Sequence, residues 1–226
     1  MNRVAENLWE VERPLKVPLV RINHRMSVAR LRNGELWVHS PVEYGPNLAA
    51  ALAELGAVKH LVAPSRLHDL YWPSWFAAYP NATFYCSPGM KEDHPDWPFT
   101  RVLAADVQES WEQELLKHLV PGMPRVNEFV FFHVASSTLI VADLLFNLSA
   151  ADQNLFGKIF LKLYGIHNRV SVSRLFRSLT KDRRAFRACM DDLMRHDFRR
   201  IIPGHGGVIE SDGVRIFEQA IKRARL

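Results

Sequence analysis

The stretch "EFVFFHVASSTLIVADLLF", Glu128 to Phe146, decides the fold. Two apolar runs flank the small residues Ala135, Ser136 and Ser137. Each run reads as a short strand, and the small residues as the turn between them. The first run ends at His133, and the second delivers Asp143 directly after "TLIVA". A histidine and a carboxylate placed at strand ends are candidates for a site, because loops beyond strand ends are where sites are assembled.

Upstream, "SVARLRNGELWVHSP" reads as a hairpin turning at Asn33-Gly34. "NLAAALAELG" is a helix closed by Gly56, and "VKHLVAP" is a strand that stops at Pro64. "LYWPSWFAAYP" is helical with Pro73 near its first turn, and "ATFYCSP" is another strand. Downstream, "NLFGKIFLKLYGI" has Phe156, Ile159, Phe160 and Leu163 at helical spacing. That stripe is expected in the core; its other reading is a lid or a partner-binding helix. "DRRAFRACMDDLMRHD" is a second amphipathic helix. It is followed by the strand "FRRIIP", the turn "GHGG" and a last helix from Gly213. Strands and helices alternate at both ends with hairpin strands between, which predicts α/β layers. No Gly-, Ser- or Pro-rich linker divides the chain, so residues 1–226 are expected to form a single domain.

The 226 residues are 48% hydrophobic and 23% charged, as in an ordinary globular protein. No apolar run approaches the roughly 18 residues of a membrane span, so no membrane partner is expected. The first twenty residues are broken by charges and prolines, unlike a signal peptide, and Cys86 and Cys189 lie far apart. A cytoplasmic setting is expected. The net charge is +5, yet residues 151–200 alone carry 12 Lys/Arg against 5 Asp/Glu. Such a face either holds an anionic ligand or is simply solvated. Nucleic acid is not the expected partner, because no aromatic-basic repeat accompanies the charge.

His68, His133, Asp143 and His205 each follow a predicted strand. Three imidazoles and one carboxylate suit zinc, iron or manganese. In "IIPGHGGVI", Gly204 and Gly206 are expected to form a tight turn bordering the cleft and to bring His205 close to other groups.

In this order the segments resemble the metallo-β-lactamase superfamily over roughly Val28 to Ala220. "HVASSTLIVADLLF" is similar to its third and fourth motifs, which makes His133 the motif histidine and Asp143 the bridging carboxylate. "IIPGHGGVI" is similar to the final histidine motif, with His205 as ligand. "HLVAPSRLHDLYW" stands in the place of HxHxDH and keeps only the last histidine, His68. Ala63, Ser65 and Leu67 replace the other three positions, and His39 and Ser40 stand where the first-motif aspartate belongs.

The resemblance implies a four-layer αββα sandwich. It implies a divalent metal, zinc first with iron or manganese as alternatives. The losses leave one ion on His68, Asp143 and His205, with His133 as a fourth ligand or neighbour. Asp69 is the only acidic group beside His68. It takes over the water-orienting role, or it caps the next helix. The implied activity is hydrolysis of an ester, thioester, lactone or phosphoester. The alternative is a catalytically inactive relative, with or without metal, that binds a small molecule or a protein in the same cleft.

Overall fold

The structure is a computed structural model that describes residues 1–17, 20–151 and 153–226. Its first strands are β1 (Asn2–Ala5), β2 (Leu8–Val17), β3 (Val20–Arg30) and β4 (Glu35–His39). Helix α1 (Pro46–Leu55), β5 (Ala57–Ala63), α2 (Trp72–Ala78), β6 (Thr83–Cys86), α3 (Met90–Asp93) and β7 (Arg101–Val102) follow. These seven strands form one sheet in sequence order. The second half supplies β8 (Leu115–Leu119), β9 (Phe129–His133), β10 (Thr138–Ile140), β11 (Phe146–Asn147), α4 (Leu155–Tyr164), α5 (Arg174–Leu179) and α6 (Arg183–Met194). It closes with β12 (Arg200–Ile202), β13 (His205–Gly206) and α7 (Gly213–Ala224). A four-stranded sheet runs β12-β10-β9-β8, and β11 pairs with β13.

Side-chain alternation produces the layers. In β5, Val62 faces the second sheet, where it joins Trp37, Tyr85, Phe129, Phe131, Ile140 and Ile202. Its neighbours Leu61 and Ala63 face the other way, among Leu52, Trp72 and Trp75 of α1 and α2. On the far side, Val130, Phe132, Leu139 and Ile201 meet Phe176, Phe186, Met190 and Phe217 of α5, α6 and α7. Both faces of β9 are therefore covered, which is why "FVFF" is continuously apolar. The result is the αββα sandwich.

Two element readings need correction. "STLIVADLLF" is not one strand: β10 ends at Ile140, and Phe146–Asn147 pair separately with β13. Helix α4 exists, but of its stripe only Phe160 packs against the core, half-buried beside Leu161. Phe156, Ile159 and Leu163 are exposed, while Gly157 and Leu161 on the opposite side are buried. This helix is apolar nearly all round, so spacing alone does not name its inner face.

Strand direction positions the site. β4, β5 and β6 are parallel, as are β10 and β12. Their carboxyl ends share one edge of the sandwich, where the chain continues into Ser40, His68, Asp143 and His205.

Candidate metal centre

His68, Asp143 and His205 converge with their ligand atoms within 4.8 Å of one another, all three residues buried. His68 Nε2 lies 3.3 Å from Asp143 Oδ2, and His205 Nε2 lies 3.3 Å from Asp143 Oδ1. Each imidazole is held from behind. His205 Nδ1 donates to the Asn23 carbonyl at 2.6 Å, and its ring stacks on Phe146. His68 Nδ1 is 2.6 Å from Ser40 Oγ. With both Nδ1 atoms engaged in this way, both rings turn Nε2 toward Asp143, the edge that would face an ion.

The turn around His205 depends on its glycines. A Cβ on Gly204 would stand 2.8 Å from the Ala142 carbonyl and 3.1 Å from His68 Cε1. Gly206 adopts φ +90°, and a Cβ there would come within 2.0 Å of the Asn147 carbonyl oxygen. The turn is fixed further by Arg25, whose Nη1 donates to the carbonyls of Pro203 and Gly206. The charge of Arg25 is met by Glu10 and Glu12.

Burial alone would raise the Asp143 carboxyl, but the His68 and His205 imidazoles outweigh it and hold the group well below the usual carboxylate range. For His205 burial works downward, but the bond and charge of Asp143 leave it raised. Behind them Glu128 is fully buried and accepts from the backbone N–H of Ala142 and Asp143. Burial and the facing Asp143 charge push it up to about 8.

The group fits a cation. Asp143 Oδ2 and His68 Nε2 are buried without a hydrogen-bond partner and face each other. Two imidazole nitrogens and one carboxylate are the donor set of a transition-metal site with open positions. Among the described residues this is the one group that meets that test.

Not every expected residue arrives here. His133 pairs with Thr138 at the start of β10, whereas Asp143 lies three residues beyond the other end of that strand. β9 is antiparallel to β10, and its carboxyl end lies at the opposite edge. His133 bonds Ser136 there, and burial lowers it to about 4. The loop that does reach the site edge, residues 120–127, contains no histidine. Asp69 turns away to His94, at 3.4 Å, and caps no helix, since the residue before α2 is Tyr71. Ser65 accepts from the Leu67 N–H. His39 is buried between Trp37 and Phe131, and neither ring nitrogen has a partner among the described residues.

His24, absent from the sequence reading, stands beside the group. Its ring centroid is 5.1 Å from that of His68 and 6.1 Å from that of His205. Its Nε2 donates to the Pro41 carbonyl and lies 3.2 Å from Ser40 Oγ. Burial, then the two neighbouring imidazoles, lower it to about 3, so it is neutral at ordinary pH. A signal existed: Asn23, His24 and Arg25 are three successive polar residues that break the alternation of β3.

The architecture and the His–Asp–His group together define a protein of metallo-β-lactamase fold. A metallo-β-lactamase family protein from Thermus thermophilus superposes with a TM-score of 0.61 at 16% identity, covering 99% of this chain and 81% of the other. A Pseudomonas aeruginosa metallo-β-lactamase in its mono-zinc form gives 0.64 at 11% identity, covering 99% and 93%. A metal-soaked flavodiiron core from Synechocystis sp. PCC6803 gives 0.68 at 12%, covering 97% of this chain and 59% of that one. The sequence matches the domain of unknown function DUF4336 over residues 5–162, and the chain belongs to that family. No curated protein matches the sequence.

Proposed function

We propose that the protein is a single-ion metal-dependent hydrolase acting on an ester, thioester, lactone or phosphoester. The observation that carries this reading is Asp143 set between two imidazoles, with Asp143 Oδ2 and His68 Nε2 left unpartnered. His68, Asp143 and His205 would hold the ion, zinc first, with iron or manganese as alternatives. A divalent ion bound there supplies Lewis acidity to a substrate carbonyl or phosphoryl group and to water.

The chain's own residues do the rest. Asn23 and Ser40 fix the two rings, Arg25 and Glu128 fix the loops that carry them, and Asp143 supplies the negative charge. Asp69 does not serve as base, because it faces His94. That position also favours a second reading, in which the centre binds a ligand without turning it over.

Elemental analysis and calorimetric titration of the purified protein test the proposal. Saturation is expected near one ion per chain. Asp143→Asn should weaken affinity by about tenfold or more, worth about 1.4 kcal/mol per decade. No uptake of zinc, iron or manganese by the wild type would overturn the metal site. Full metal occupancy with no turnover of any of the four ester classes would favour the second reading.

A further inference from the structure

We infer that the exposed face of α4, with the arginine-lined hollow at its carboxyl end, is a docking surface for an anionic phospholipid membrane. The helix is anchored by Leu161, which is buried with Val20, Leu148 and Ile166. That packing turns the opposite side outward and leaves Leu155 70%, Phe156 64% and Leu163 63% exposed, with Ile159 between them. Leu175 of α5, next to the Arg174 that bonds the Leu163 carbonyl, is exposed as well. Large apolar side chains grouped in this way mark an interaction surface.

The charges beside the patch select the occupant. Lys158 and Lys162 are exposed along one flank of the stripe. Past the helix end, a hollow of about 240 Å³ is lined by Arg169, Arg174, Arg177, Arg223 and Arg225. None of the five makes an ion pair among the described residues; Arg174 donates to the Leu163 carbonyl and Arg223 to Gln219. Arg174 therefore joins the hollow to the stripe. Five arginines around one concavity make it electropositive, and phosphate matches the geometry of a guanidinium group.

Apolar anchors next to phosphate-binding cations are what a bilayer interface of anionic lipid takes up: side chains reach the acyl boundary, and lysines and arginines stay at headgroup level. A second copy fits less well, because a two-fold contact sets this patch against itself and brings like charges together. Nucleic acid offers the phosphates but no apolar phase for Leu155, Ile159 and Leu163. The expectation of no membrane partner rests on spanning length, which a helix lying in the interface does not need.

Sedimentation of the full chain with vesicles tests the inference. Partitioning onto phosphatidylcholine mixed with phosphatidylglycerol should exceed that onto phosphatidylcholine alone by about tenfold or more, and should fall as salt rises. The pair Phe156→Ser with Ile159→Ser, both exposed, should fold with wild-type melting and metal content and lose binding to both vesicles. The pair Arg169→Gln with Arg223→Gln should lose the preference for the anionic vesicle. Equal partitioning of the wild type onto both vesicles would overturn the inference, as would vesicle binding that survives the serine pair. A concentration-dependent dimer abolished by the serine pair, or retention on RNA without vesicle binding, would overturn it too.

Discussion

A single side chain decides whether His205 can reach Asp143, and it is one that glycine lacks. Gly206 has φ +90°, a region costly for residues with a Cβ, and the nearest atom to an added Cβ is a backbone carbonyl that cannot rotate away. Gly206→Ala is therefore expected to lower stability by about 2 kcal/mol or more and to reduce metal content, since the β11–β13 pair must part. Gly45→Ala is the matched control: its φ is −167° and nothing lies within 4 Å of an added Cβ. Thermal melts with metal analysis check the pair. Equal melting of the two variants would show that the close approach of Gly206 to Asn147 is relaxed in solution. Asp143 is the second residue whose setting matters, because the charge it keeps despite burial depends on two imidazoles and not on an arginine.

Elements with local signals were legible from sequence, and elements defined by distant packing were not. The β3–β4 hairpin follows from Asn33-Gly34, with Gly34 at φ +84°, and α1 stops at Gly56, whose N–H caps the Leu52 carbonyl. Those signals lie within a few residues of their effect. The outward face of α4 lies beyond such reading, because 3.6-residue spacing fits either side of an apolar helix. His133 fails for a related reason: the end of a strand is visible in sequence, but its direction within the sheet is not. Capping gives an element-scale prediction. Asn154 Oδ1 accepts from the Gly157 N–H at the start of α4. Asn154→Ala should cost about 1 kcal/mol and speed amide exchange in the first turn of α4 while leaving metal content unchanged. Exchange unchanged throughout α4 would mean that packing of Leu161 alone holds the helix.

Over the whole molecule, buried histidines set how stability responds to acid. His24, His39 and His133 are all lowered by burial, with neighbouring imidazoles adding to the effect on the first two. Folded, they stay neutral where the unfolded chain takes up protons near 6.5, so stability rises with pH up to that point and falls on acidification. Glu128 acts in the opposite sense. Raised from 4.5 to about 8, it stays protonated in the folded chain while the unfolded chain has released its proton, so its contribution is lost as pH climbs through that window. With His60 and His118 also lowered by burial, five histidines stand against two raised groups, Glu128 and His205, and predict a stability maximum near neutral pH for metal-free protein, with the steeper fall on the acid side. His133 isolates the acid limb, because it lies at the edge opposite the metal group. Its shift from 6.5 to about 4 corresponds to about 2 kcal/mol of destabilisation by pH 5, present in the wild type and removed by a side chain that does not titrate. Denaturant unfolding of wild type and His133→Gln, both with chelator, should show a loss between pH 7 and pH 5 that is smaller in the variant by about that amount. The variant gives up the Ser136 bond at every pH, which shifts its whole curve without changing the slope. Parallel curves would show that His133 takes up its proton in the folded protein, and that the β9–β10 turn opens readily enough to admit it.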